Sequence, residues 1–293
     1  MMTARLRRSA LQSARATPPF LPASPQEYDL DLWAGLLNAT GKPYLIENCH
    51  WGDTLPNATW CPWSYYRSSG DIRANYGSIV GNLQTVVPLA QKNLSYSGCW
   101  AFPDALEVGV YNGPGGPGGD SGLSYAEARS HFAAWCIVSS PLVLGIDMTN
   151  QTAMDSVWDI LTNTEAIAVN QAYFGSSGGL YNQSGATLRL PIAGVGAARS
   201  PAHRTPAAVD VAAVQLFAKP LSATSVAVLG MNHGAAATPI SFTFAQVPGL
   251  PYTAGASVKV RDIFAHADVG PVTAPFYTAT VASHDAAFLI LSI

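Results

Sequence analysis

Five side chains in the first third of this sequence could do chemistry together: His50 and Trp51, then Arg67 and Asp71 four positions apart, then Asp104. A carboxyl such as Asp71 can donate a proton and later take one back, provided it stands at an accessible rim. An aromatic ring beside a polar donor, as in His50-Trp51, is an arrangement that holds a pyranose: the C–H face of the sugar stacks on the ring while its hydroxyls need hydrogen-bond partners. Each residue also has a plainer reading. Asp71 could cap a helix starting near Asn75 with Arg67 as a surface partner, and Trp51 could be core with His50 a satisfied loop histidine. Asp104 could bind backbone N–H groups of its own loop. Cys49, His50 and Cys61 lack a second His or Cys pair at ligand spacing, so no metal site is expected. The glycine-rich run Gly113 to Asp120 is not a phosphate cradle, because no Lys-Ser/Thr follows it and its prolines remove backbone donors. It reads as a flexible insertion.

The elements that must position these residues read as strand–helix units. Ser24-Pro25-Gln26-Glu27 is a capping box with proline at the first helical position. The helix it opens carries Leu30, Trp33 and Leu37 and runs to about Asn38. Gly41 ends that helix before a short strand, Pro43 to Ile46, that leads into Asn48-Cys49. A second strand is expected over Ser64 to Arg67, then a helix from Asn75 to Leu89 with Ile79, Leu83 and Val86 on one face. Ser95 to Cys99 is the next strand. Ser124-Tyr125-Ala126-Glu127 is a second capping box, opening a helix through Phe132, Trp135 and Cys136. Pro141 to Ile146 is a continuous apolar run, expected as a parallel strand buried on both faces. Asp147 ends it, either as a weaker rim candidate or as a cap for the final helix, which holds Met154, Val157, Trp158 and Leu161.

Four such units over residues 24–175 make half of an eight-unit barrel. Residues 1–23 read as an unstructured or targeting-like start, and 176–210 as a linker or long loop. Beyond them, alternating runs at Val211 to Phe217, Ser225 to Leu229, Ile240 to Phe244, Ser257 to Arg261, Tyr277 to Val281 and Ala287 to Leu291 predict an antiparallel β-sandwich over 211–293.

Three segments carry a resemblance to a known family: Asn48-Cys49-His50-Trp51-Gly52-Asp53, Trp63 to Ile72 with its Arg-x-x-x-Asp-Ile ending, and Gly98 to Gly109. They are similar to the sugar-binding and acid/base half of the α-galactosidases (melibiases), which are retaining glycoside hydrolases. The resemblance implies an incomplete (β/α)8 TIM-type barrel, about its last four units, followed by the β-sandwich. It implies Asp71 as general acid/base, with Arg67, Trp51, His50 and Asp104 as substrate-binding residues. His131 to Trp135, Ser140 to Leu142, Glu165 to Gln171, Val260 to Asp262 and Ala265-His266 also match, in positions that look structural. Two departures stand out: His50 replaces the polar or acidic side chain of many relatives, and Ala101-Phe102 replaces an Asn-Asp pair.

The family's carboxylate nucleophile ends the strand before the one leading into Asn48. Residues 1–23 hold no Asp or Glu, so no nucleophile is expected in this chain. Glu47 and Asp53 are poor substitutes, since nucleophilic attack tolerates little misplacement. The expected function is that of an α-galactosidase-like hydrolase, cleaving terminal α-D-galactosyl residues with retention but truncated. A non-catalytic carbohydrate-binding or pseudoenzyme fragment is the rival. A β-L-arabinopyranosidase or an α-N-acetylgalactosaminidase is the variant that His50 and Phe102 leave open.

Composition sets the remaining bounds. With 293 residues, 48% of them apolar and a net charge of −3, the chain can bury a sizeable core, and nothing in its charge favours nucleic acid or an anionic membrane. No apolar run reaches the roughly 18 residues of a bilayer span. A galactoside or related glycan is the expected partner, no cofactor is implied, and the open edge of the half-barrel could drive self-association. Sequons at Asn38, Asn57, Asn93, Asn150 and Asn182 favour a secreted or lysosome-like compartment, although the Arg-rich start lacks the apolar stretch of a signal peptide. Cys49 and Cys61 flank a short loop and are expected to form a local disulfide, while Cys99 and Cys136 could equally be buried thiols.

Overall fold

A computed structural model describes residues 25–110, 122–192 and 206–293. The expected start over 1–23, the Ser24 cap and the whole glycine-rich run lie outside them. The described residues fall into two compact units, divided between Tyr44 and Leu45. The first contains helix α1, Pro25–Asn38.

The parallel sheet of the second unit has the order β1-β2-β3: Glu47–Asn48, Tyr65–Arg67 and Trp100–Phe102. Tyr65 faces Glu47 on one side and Trp100 on the other. The third strand starts after the segment expected to form it. Tyr96 and Cys99 instead exchange both backbone hydrogen bonds across a tight turn, with Gly98 at φ +85°, a conformation open to glycine. Pro141 to Ile146 also departs from expectation. It makes one parallel bridge, Leu106 to Leu144, and leaves Val143 and Leu144 exposed. An apolar run becomes a doubly buried strand only where neighbours cover both faces, and among the described residues it pairs through a single-residue bridge to Leu106.

Helix α2, Tyr76–Gln91, packs against β3 and buries Ile79, Val80, Leu83 and Val86. Asn75 caps it by accepting from the Ser78 N–H, which removes one orphan donor of the first turn. Helix α3, Tyr125–Ile137, starts with both halves of the Ser124/Glu127 capping box in place. Helices α4, Gln151–Leu161, and α5, Thr164–Gln171, follow. Asn150, not Asp147, caps α4; the Asp147 carboxylate turns back onto Thr149.

The stretch read as a linker carries two strands, β4 (Gly179–Gln183) and β5 (Thr187–Pro191). The single run expected over Val211 to Phe217 is two strands, β6 (Ala208–Ala212), which pairs with β5, and β7 (Val214–Pro220). Then come β8 (Ser225–Asn232), β9 (Thr238–Thr243), β10 (Val258–Asp262), β11 (Ala267–Val272), β12 (Phe276–Val281) and β13 (Ala286–Ser292). One sheet has the order β11-β10-β13-β8-β7-β4, and β12 pairs with β9. Their inner faces enclose Val226, Val228, Phe242, Phe244, Val258, Leu289 and Leu291.

Polar contacts join the helices to these strands. Tyr76 Oη meets His233 Nδ1 at 2.9 Å, and His233 Nε2 meets Gln215 Oε1 at 3.1 Å. Tyr76 stacks on His284, which binds Glu127. Arg129 pairs with Asp285. The buried Lys219 ammonium donates to the Val169 and Asn170 carbonyls at the end of α5, where the helix dipole favours a cation.

Candidate functional site

Parallel strands deliver their C-terminal ends to one edge, so β1, β2 and β3 bring three loops together. The β2 loop carries Asp71, whose side chain is 74% exposed. Its Oδ1 accepts from Arg67 Nη2 at 3.1 Å and from Trp51 Nε1 at 3.3 Å. Arg67 itself is buried, and the same Nη2 lies 2.7 Å from Asp104 Oδ2. Asp104, on the β3 loop, is nearly buried; its Oδ2 accepts from the Ile72 N–H and its Oδ1 from the Ala105 N–H. One guanidinium nitrogen therefore joins two carboxylates of opposite circumstance, one locked among backbone donors and the other open to water.

Two residues of this cluster have left-handed backbone, Trp51 at φ 49° and Asp104 at φ 83°. Such conformations cost of order 1–3 kcal/mol and persist where surroundings enforce them. For Trp51 the enforcement is visible next door. Gly52 has φ +94°, and a Cβ there would stand 2.9 Å from the Ser68 carbonyl oxygen. Only glycine lets the β1 loop lie directly on the end of β2, which carries the indole to Asp71.

The structure thus brings together Trp51, Arg67, Asp71 and Asp104. His50 is engaged within its own turn, where Nδ1 meets Thr54 Oγ1 at 3.1 Å. Cys49 Sγ lies 3.9 Å from Arg67 Nη1, and burial pushes its thiol up, against the pull of Arg67. Burial likewise raises the Glu47 carboxyl, with Arg67 acting in the opposite sense. Among the described residues no cluster of three or more His, Cys, Asp or Glu side chains could hold a metal ion.

The expected Cys49–Cys61 disulfide is corrected: Cys61 pairs with Cys99, and Cys49 is a free, exposed thiol. Tyr96 Oη donates to the Asn57 carbonyl at 3.4 Å, which ties the loop after Trp51 to the Tyr96–Cys99 turn and sets Cys61 against Cys99. Cys136 is a buried thiol.

Asn82 was not among the candidates. Its Nδ2 donates to the Gly70 carbonyl at 3.2 Å and to the Pro103 carbonyl at 3.0 Å, behind the two aspartates. A signal existed. Asn82 sits three residues after Ile79 and four before Val86, an amide in the apolar stripe of α2.

An exposed carboxylate is thus held by an indole and a buried guanidinium, at the ends of parallel strands that a β-sandwich follows. The family description "Alpha galactosidase A" matches residues 26–172, and "Alpha galactosidase C-terminal beta sandwich domain" matches 211–291. The chain belongs to the α-galactosidase family. It is 30% identical over 260 residues to Alpha-galactosidase 3 of Arabidopsis thaliana, covering 87% of this chain and 49% of that protein. The crystal structure of α-galactosidase I from Mortierella vinacea superposes with a TM-score of 0.71 at 25% identity, over 91% of this chain and 62% of that one. The Saccharomyces cerevisiae α-galactosidase solved with raffinose shares the fold, with a TM-score of 0.68 at 19% identity over 91% and 68%. The chain spans about half the length of the first curated relatives it matches.

Proposed function

We propose that this chain supplies the acid/base half of a hydrolase for terminal α-D-galactosyl residues. The observation that carries the reading is the Asp71 carboxylate, open to solvent yet aimed by Trp51 and Arg67. In this role Asp71 protonates the glycosidic oxygen as the bond to the anomeric carbon breaks, then takes a proton from the water that completes hydrolysis. The Trp51 face packs against the sugar, while Arg67 and His50 bind hydroxyls and Asp104 holds Arg67 in place.

Retention needs a second carboxylate about 5–5.5 Å from the first. Asp104 is unsuited, since Arg67 and two backbone N–H groups already occupy its oxygens. The nucleophile is proposed to come from barrel units that precede β1 in the family, which makes the sheet described above part of an incomplete barrel. Leu45, 84% exposed beside β1, and the exposed Val143 and Leu144 beside Leu106 are the apolar surface such units would cover; self-association is the other way to cover it. The Cys61–Cys99 disulfide and the sequons fit a secreted or endomembrane setting.

The test has two arms. Calorimetric titration of the chain with galactose should show binding, and an aryl α-galactoside should not be cleaved. Fusion of residues 45–293 behind the preceding barrel units of the Arabidopsis relative should restore cleavage. Asp71→Asn in that fusion should lower kcat/KM by about 10²–10⁴-fold. Undiminished turnover by Asp71→Asn, or brisk turnover by the chain alone, removes this assignment.

A further inference from the structure

We infer that Asn82 is a positioning residue for both carboxylates of the site, through the peptide units that lead into them. The inference rests on the proposed roles of Asp71 and Asp104. Asn82 lies in the second turn of α2, 6% exposed, among Ile79, Leu83 and Val86. An amide in that position is costly unless its polar atoms are satisfied. Both hydrogens of Nδ2 are used, one on the Gly70 oxygen and one on the Pro103 oxygen.

Those two carbonyls immediately precede Asp71 and Asp104 in the chain. A peptide unit is planar, so holding its C=O also sets the direction of the following N–H and constrains where the next Cα places its side chain. One side-chain amide therefore orients both peptide planes that enter the aspartates, although they belong to loops of different strands.

The Asp104 loop has particular need of it. With φ at 83°, Asp104 sits in a conformation that bulkier alternatives would leave. It is gripped on both sides: Asn82 holds the carbonyl before it, and Trp135 Nε1 donates to its own carbonyl at 2.7 Å. The Asp71 loop gets a similar grip from the same helix. Thr85 Oγ1 meets Ser68 Oγ at 2.9 Å, and Ser78 Oγ accepts from the Arg73 N–H at 2.9 Å, on either side of the Asn82 contact to Gly70. Of these three contacts only Asn82 reaches the second loop. It fixes the spacing of the two carboxylates that share Arg67 Nη2, and hence the direction in which Asp71 faces a sugar. Leucine would fill the same volume without either donor, and serine could serve only one carbonyl.

The test compares the chain with Asn82→Leu, Asn82→Ser and Val86→Ala, the last a helix-core change that removes no hydrogen bond to either loop. Galactose affinity by calorimetry, thermal midpoint and backbone amide resonances are read on each. Asn82→Leu should bind galactose about tenfold more weakly, with the Asp71 and Asp104 amide resonances both displaced and those of β13 unmoved. Val86→Ala should lower the midpoint while leaving affinity unchanged. Unchanged affinity in Asn82→Leu, or an equal loss in Val86→Ala, overturns the inference and leaves the proposed function standing. If Asn82→Leu does not fold, Asn82→Ser decides by the same readings. If the wild-type chain does not bind galactose, the proposed function falls. The amide resonances then decide alone: displacement of both aspartates supports positioning, and either one unmoved overturns it.

Discussion

The two kinds of sheet in residues 45–293 are held by different means. In the sandwich, β8 is paired over seven of its eight residues with β13 on one side and over seven with β7 on the other. The backbone ladder and a closed apolar core define that region. In the parallel sheet the strands run two or three residues. Alignment there falls to side chains: Asn82 between two loops, Arg67 between two aspartates, and a disulfide from Cys61 to Cys99. A short ladder leaves strand ends free to diverge into loops, so the groups that hold those loops are the ones that shape a site.

This contrast can be broken most directly in the cores. Phe244→Ala, deep in the sandwich, should cost about 3–5 kcal/mol in urea unfolding. Leu45→Ala, at the edge of the parallel sheet, should stay within about 0.5 kcal/mol. A cost near that of a core leucine would mean that this edge is covered in solution. Arg67→Met is expected next in size, at about 3 kcal/mol, because it strands the nearly buried Asp104 carboxylate without its cation. An equal loss from removing the exposed Asp71 would show that the two carboxylates are not held as unequally as their burial implies.

Acid sharpens the comparison with one group on each side. Burial lowers both His131, which accepts from the Glu107 N–H near the site, and His233, beside the sandwich, to about 3. Both are depressed below the unfolded value of roughly 6.5, so the unfolded chain binds more protons between these limits. Their contribution is full above about pH 6.5 and is lost as pH falls toward 3, with a slope of up to about 2.7 kcal/mol per pH unit for the two. His131→Asn or His233→Gln should each remove about half of that slope in unfolding titrations. The smallest effect is expected at Cys49→Ser, within about 0.5 kcal/mol. Native alkylation should label one thiol in the wild type and none in this variant, since Cys136 is buried.

Much of this architecture was legible from residue order. The apolar stripe of α2 and the capping box of α3 are local signals, and alternation marked β9, β10, β12 and β13 within a residue or two. What escaped depended on distant partners. Pro141 to Ile146 is as apolar as a buried strand, but burial is conferred by neighbours. β4 and β5 lie in a Gly- and Ser-rich stretch whose composition hides pairing, and β11 carries Gly270 and Pro271, as an edge strand can. At the site, the resemblance to the α-galactosidases pointed to Trp51, Arg67, Asp71 and Asp104, which the fold brings together. Spacing alone misled over Cys61, because the loop that carries it is steered by Tyr96. Asn82 was missed because a lone amide in an apolar stripe does not announce which carbonyls it will meet.

The link from Cys61 to Cys99 closes a covalent circle that contains Arg67, Asp71 and the whole of α2. A protease that nicked this circle once, for example after the exposed Lys92, would raise the mass by one water and release nothing. The two pieces would separate only after reduction, so a clipped molecule could circulate with its severed halves still stapled together.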